Sequence, residues 1–318
     1  MPSDFNEFDC SRIKTYEVGK QTRKVELDNV AGVWRTGGTM LEFIDSLPDI
    51  LAGKDLKTVI EAISSAARDN KPVILAMGAH VIKCGLSPVI ADLIGRGIIT
   101  GLALNGAGAI HDTEMALFGR TSEDVVAGLK EGTFGMGAET AEFVNSAAVY
   151  GQEAGQGFGE AIGKRIISTN APYASTSLLA AASCANIPAT VHVAIGTDIV
   201  HMHPNADGAA IGACSMRDFR IFAASIENLS NLGGVLINAG SAVVLPEVAL
   251  KAFAMAANVG CSFDRVFAVN LDFIRQYRSE QQIVQRIRAM GGKAVSIVGH
   301  HEILLPLISA AIIEYQEA

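Results

Sequence analysis

The chain has little charge, few cysteines and no long apolar run, and each shortage excludes something. Charged residues make up 18% of its 318 residues, Lys and Arg do not cluster, and the formal net charge is -8. A protein that grips nucleic acid through its phosphates needs the opposite balance, so no nucleic-acid partner is expected. The sign suits a neutral or cationic small substrate. The cysteines, Cys10, Cys84, Cys184, Cys214 and Cys261, are odd in number and far apart, and no CxxC pair occurs. This indicates neither a disulfide framework nor a zinc ribbon, and reduced thiols in a cytoplasmic protein are the plain expectation. Met1 to Cys10 carries Asp4, Glu7 and Asp9 and no apolar centre, which is not the pattern of a signal peptide. The longest strongly apolar stretch, Ile303 to Ile313, contains Pro306 and falls well short of the ~20 residues of a membrane span. Internal repeats and low-complexity tracts are also lacking.

Hydrophobic residues, by contrast, make up 49% of the chain. At this length folding hides roughly three quarters of the unfolded surface, so a large core is available. Residues 1–35 are mostly polar and read as an N-terminal arm or cap; residues 36–318 read as a single α/β domain. There, short β-branched runs alternate with longer amphipathic stretches, the mark of a mainly parallel sheet. The runs Pro72–Met77, Ile98–Leu104, Ala189–Ile195, Gly234–Ile237, Arg265–Val269 and Ala294–Val298 predict about six strands covered on both faces. Helices are predicted over Leu56–Asp69, Ser87–Arg96, Ser122–Lys130, Ala138–Tyr150, Thr176–Ala185, Met216–Leu232, Pro246–Asn258, Glu280–Met290 and Glu302–Tyr315. The segment 151–163, rich in glycine, reads either as a mobile lid or as a loosely packed helix or loop.

Ligands of an open parallel sheet bind beyond the carboxyl ends of its strands. Six of the 7 histidines fall there: His80, His111, His201, His203, His300 and His301. Other polar or small residues share these exits: Asn105, Gly106, Ala107, Gly108, Asp112, Asp198, Asn238, Gly240, Asn270, Asp272 and Gly299. The edge they mark is the expected active site, provided the strands are parallel. The seventh, His192, lies inside a strand and reads as a hydrogen-bonded core residue.

The Gly106-Ala107-Gly108 turn admits two readings. Small residues ahead of a helix let backbone N–H groups approach a phosphate; equally, glycine serves only to fit the bend. Gly163-Lys164 is no P-loop, because Phe158 and Arg165 stand where glycine and Ser or Thr are needed. The histidines offer a second chemistry, a divalent metal held by His80, His111, His201 and His203. Trp34 reads as a packing aromatic. Cys84 has no base partner evident in the sequence and reads as structural. Lys83 is either an anion anchor or a solvated residue.

These exits, in this order, resemble the deoxyhypusine synthase family from about Lys71 onward. Asn105 to Asp112 stands where the family has Thr-Ala-Gly-Gly-x-Glu-Glu-Asp, and Gly196-Thr197-Asp198 where it has Leu-Thr-Asp-Gly. Asn238-Ala239-Gly240-Ser241 is similar to its Gly-Gly-Gly exit, and Val298 to Pro306 to its closing strand-to-helix turn. The resemblance implies a Rossmann-like, doubly wound fold, a homotetramer, and NAD near Asn105, Gly106, Asp112, Asp198, Gly240 and His300. It also implies oxidation of a polyamine through an imine on a lysine. That lysine belongs to a Trp-Gly-Lys turn before the last strand, yet Leu271 to Gly292 contains neither Trp nor Lys. Lys293 opens the strand at its far end, and histidines such as His203 and His300 stand near the family's acidic polyamine contacts.

Three functions follow. The first is an NAD-binding transferase or oxidoreductase with altered chemistry, acting on a small amine or related metabolite. His203, His300, His301 and Asp198 are then the catalytic candidates, since imidazole exchanges protons near neutral pH. The cofactor would lie against His80, Asn105, Gly106, Ala107, Gly108, Asp112, Asp198, Asn238, Gly240, Asn270, Asp272, Gly299 and His300. The second is a metal-dependent hydrolase or lyase on the same scaffold. The third is a homologue that binds a ligand without turning it over.

Overall fold

The structure, a computed structural model, describes residues 5–317. The first four residues of the expected arm lie outside the described residues. From residue 5 to residue 36 the chain is mostly exposed and makes three short 3-10 turns. Gly32 N donates to Ser46 O (2.7 Å), Asp49 N donates to Asn29 O (3.1 Å), and Trp34 packs edge-on against Phe43 with ring centres 5.7 Å apart.

Helices α1 (Met40–Ser46) and α2 (Leu51–Arg68) lead into β1 (Val73–Met77). The one-turn α3 (His80–Lys83) and α4 (Ser87–Gly95) connect it to β2 (Gly101–Asn105). The long link to β3 (Ala189–His192) holds α5 (Gly106–Phe118), α6 (Val125–Glu131), α7 (Ala138–Ala154), α8 (Phe158–Ser168) and α9 (Leu178–Cys184). Then α10 (Gly208–Leu232) reaches β4 (Gly234–Ala239), and α11 (Val244–Asn258) reaches β5 (Val266–Asp272). Next come α12 (Tyr277–Ser279), a π-helical turn and α13 (Arg286–Ala289), before β6 (Lys293–Val298) and the final α14 (His301–Glu317).

Among the described residues the six strands form one all-parallel sheet in the order β3-β2-β1-β4-β5-β6. This is the doubly wound, Rossmann-like order, and the connections leave β1 and β4 in opposite directions. Period-two alternation divides the core in two. Val73, Leu75 and Met77 face a larger cluster with Ile60, Ile90 and Ile308, whereas Ile74 and Ala76 face Phe222, Leu245 and Phe253. All five β1 residues are buried, each large side chain contributing about 1.5–3 kcal/mol of transfer free energy.

The expected strands and helices are present, with shifted ends. Residues 98–100 and 193–195 are not strand, while β4 and β5 run two and three residues further than expected. The mobile-lid reading of 151–163 is overturned. The segment ends α7 at Gly155 and opens α8, whose Phe158, Ala161, Ile162 and Gly163 are buried. Its glycines serve close packing: a Cβ on Gly159 would lie 2.3 Å from Ala189 O.

Candidate functional site

Because every strand runs the same way, all the exit loops emerge on one edge. The hydrogen-bond ladder continues past the strands there. Gly78 N donates to Ala239 O, Gly240 N to Leu271 O and Gly299 N to Asp272 O, each at 2.9 Å. Where β1 and β4 diverge, the two exit loops nearly touch: a Cβ on Gly78 would lie 2.3 Å from Gly240 O. Gly240 itself has φ +65, and a side chain there would strike the ring of His301.

His301 opens α14 and is fully buried. Its Nε2 lies 3.2 Å from Leu271 O. A carbonyl only accepts, so Nε2 carries the proton and Nδ1 is left as a bare lone pair. That Nδ1 is buried with no protein partner. His80 packs 5.6 Å from this ring, and Phe273 lies 5.5 Å from His80 and 6.3 Å from His301. Asp272, at the end of β5, is also buried. Its Oδ1 accepts from Phe273 N at 2.8 Å, and Oδ2 has no partner. Burial pushes this carboxyl up, while the His301 and His80 rings pull the other way. Cys84 lies against the cluster, its Sγ 3.3 Å from His80 Nε2. His300 points out at the rim, 3.7 Å from Glu302. Beneath, Asn238 Nδ2 donates to Asn270 Oδ1 (2.8 Å) and Ser241 O (3.1 Å), and Asn270 Nδ2 to Ser296 Oγ (3.2 Å). These amides fix the β4 exit loop from below.

The other exits form a second group. His201 Nδ1 accepts from Gly196 N at 3.1 Å, so its proton sits on Nε2, 3.9 Å from Asp198 Oδ2. Burial raises the Asp198 carboxyl and His201 opposes that. His111 Nδ1 lies 2.6 Å from Thr121 Oγ1, which donates to Glu114. Burial favours a neutral Glu114, but hydrogen bonds from His111 and Thr121 prevail and hold it below the ordinary carboxylate value. His203 is tied by Nε2 to Gly135 O at 2.8 Å. A pocket of about 160 Å³ opens here, lined by Lys83, His111, Glu114, Glu123 and Asp198 among others. Helix α3 joins the groups: His80 belongs to the first and Lys83 to the second.

Several expected site residues are occupied elsewhere. Asp112 is fully buried, accepting from Ser177 Oγ (2.6 Å), Leu178 N (2.7 Å) and Leu179 N (3.2 Å) at the start of α9. In the Gly106-Ala107-Gly108 turn protein groups occupy part of the space a phosphate would need. Asn105 caps α5 by accepting from Gly108 N at 2.9 Å. The Asp198 carboxylate presses on Gly106, so close that a Cβ there would lie 1.8 Å from Oδ2. A phosphate in that turn would meet an acidic group. Nothing favours the metal reading: among the described residues no group of three His, Cys, Asp or Glu is placed to hold an ion. His80, His111, His201 and His203 are divided between the two groups, each with its own partner.

Sequence reasoning missed Glu114 and Phe273, and read Cys84, which lies beside His80, as structural. The one available signal was the one-turn spacing of His80 and Cys84, which places both on one side of a helix.

No family model and no curated protein matches this chain. Solved structures do. A protein described as LOR/SDH from Methanococcus maripaludis S2 is 16% identical, with TM-score 0.50, over 91% of this chain and 73% of its own. AgrE, solved as a ternary complex with ornithine and NAD+, is 14% identical with TM-score 0.55 over 83% of this chain; that span is only 33% of AgrE. The likeness to these structures is one of a Rossmann-like α/β fold. A protein taken to be a deoxyhypusine synthase from Entamoeba histolytica aligns over 94% of this chain and 96% of its own, at 12% identity and TM-score 0.49. At such identities each likeness is one of fold alone.

Proposed function

We propose that this chain is an NAD-binding enzyme that acts on a small amine or related metabolite at the carboxyl edge of its sheet. The observation that carries the reading is the pair of buried, unpartnered acceptors beyond the ends of β5 and β6, Asp272 Oδ2 and His301 Nδ1. Buried polar atoms ordinarily have partners, and two bare acceptors on neighbouring side chains fit a ligand rich in hydroxyl and amide donors. The ribose and nicotinamide groups of NAD have that chemistry. AgrE, of similar fold, binds ornithine and NAD+.

Asp272 would receive ribose hydroxyls. NAD, when bound, supplies a hydride acceptor. His301 Nδ1 takes the substrate's proton as general base, and His300 is a second acid–base candidate at the rim. Glu114 and Asp198, in the adjoining pocket, hold a substrate ammonium, and His203 fixes the loop at Gly135. The cofactor residues Asn238, Asn270 and Gly299 act through the floor and the β6 exit. The family's lysine imine has no host here, because Lys293 lies at the opposite edge of the sheet. A cytoplasmic homotetramer, with residues 1–35 as an arm, belongs to the same reading.

Calorimetric titration with NAD tests it. The expected result is binding, weakened by tenfold or more, about 1.4 kcal/mol, in D272N. Absence of binding at about 1 mM NAD, a level that detects even weak complexes, would overturn it.

A further inference from the structure

Cys84 closes α3 one turn after His80, with Sγ 3.3 Å from Nε2. For the thiol to donate there, Nε2 must be bare and the His80 proton must sit on Nδ1. Glu302, in the first turn of α14, approaches the same sulfur. Burial first, and then Glu302, push the thiol up, with Lys83 acting against them. The sulfur thus lies within hydrogen-bond reach of an imidazole nitrogen that can accept its proton. Cys84 is partly exposed. Among the described residues none of the other four cysteines has a hydrogen bond to an imidazole. Cys214 is buried with Sγ 3.2 Å from Ala148 O, and its thiol is pushed up to about 11.

A hydrogen-bonded Cys–His pair alone is no site. This one stands beside the two unpartnered acceptors of the crevice, because the His80 ring that receives the thiol also packs on His301 and Phe273. The groups facing the sulfur and its base are thus Lys83, Glu302, His301 and Asp272.

We propose that Cys84 is a nucleophile, with His80 as its general base, that captures an sp2 carbon of the substrate: a carbonyl, ester or iminium carbon. The S–H proton passes to His80 Nε2 and a sulfur electron pair forms the C–S bond. The π pair of C=O or C=N moves to the heteroatom. A neutral adduct results when an oxyanion takes the proton back from His80, whereas an iminium nitrogen is neutralised by the pair alone. With an ester, the oxyanion collapses, the alkoxide or phenolate leaves, and a thioester remains on Cys84. No oxidant or reductant is consumed. Such an adduct supplies the covalent handle that the family places on a lysine before its last strand, a stretch that here, Leu271 to Gly292, contains none. The proposal rests on the crevice of the preceding section, but its test needs neither NAD nor the natural substrate.

The probe is p-nitrophenyl acetate, followed by nitrophenolate release in stopped flow and by peptide mass mapping. The expected result is a burst of about one equivalent per chain with the acetyl group on Cys84. C84S abolishes the burst, and H80Q slows it by about a hundredfold or more at neutral pH, within the ~10²–10⁴-fold range of general-base catalysis. Acetyl groups spread over surface lysines, Cys10 and Cys184 without preference for Cys84 would overturn the proposal, as would H80Q acylating at the parent rate. The peptide map uses the unaltered protein, so a variant that fails to fold does not remove the test. NAD titration is read separately: binding with a silent Cys84 overturns this proposal alone, and a burst without NAD binding overturns only the cofactor reading.

Discussion

At Gly106 a single methyl group separates two uses of the same turn. The Asp198 carboxylate fills the space a Cβ would need, 1.8 Å from the ideal position. G106A therefore forces a buried acid to move, and the expected cost is about 1–3 kcal/mol in urea unfolding. Removing the acid as well, in G106A/D198A, should recover part of that loss; strict additivity of the two single changes would contradict the contact. Asp218 tests burial through pH. Its Oδ2 accepts from Val191 N (2.7 Å) and Gly159 N (3.0 Å), yet burial raises the carboxyl from 3.8 to about 7. Between those values the folded chain binds more protons than the unfolded one, so this residue's contribution to stability falls as pH rises and levels off above about 7. His192 acts oppositely: burial lowers it from 6.5 to about 4, so stability rises with pH between those values. D218N keeps an acceptor oxygen and cannot ionise. Relative to the parent it should gain on the order of 2–4 kcal/mol between acid and neutral pH. Parallel pH profiles for the two proteins would refute the account.

At the scale of elements, Asp112 shows how one side chain sets the start of a distant helix. It receives two backbone N–H groups and a hydroxyl at the first turn of α9, 65 or more residues away along the chain. D112A leaves those donors buried and unmet, with an expected loss of about 2–4 kcal/mol in urea unfolding. It should leave NAD affinity unchanged, since the residue faces into the fold. The elements themselves were legible where periodicity was strong. The β1 run Val73–Met77 is apolar without interruption because both of its faces are covered, and α10 and α11 carry clear stripes. The segment after α7 was not legible. Its glycines look permissive in isolation, and only the backbone of Ala189, pressed against Gly159, shows that they are packing positions.

At the scale of the molecule, the sheet order gathers residues from β1, β4, β5 and β6 into one crevice and those from β2 and β3 into a neighbouring pocket. A ligand seated at the β1–β4 divergence holds both halves of the sheet. Saturating NAD, at a hundredfold excess over Kd, should therefore stabilise the chain by about 2.7 kcal/mol. Scanning fluorimetry reads this as a Tm shift that D272N diminishes. The exposed arm makes few contacts with the domain, chiefly at Gly32, Trp34 and Asn29. Deleting residues 1–28 should leave the domain's unfolding free energy within about 1 kcal/mol of the parent, and a larger drop would show the arm to be part of the core. Light scattering on both proteins tests the proposed tetramer and the arm's share in it.

The linear pattern by itself determined the fold class and the edge on which polar chemistry collects. Both depend on local periodicity and on the rule that parallel strands end on one side, and neither requires knowing which strands are neighbours. Pairing was decided only in three dimensions. Cys84 met His80 and Glu302, Asp198 turned inward on Gly106, and the histidines separated into two groups. These outcomes depend on strand order and on the direction of each side chain. Both are set by how the whole core packs, which no window of sequence contains.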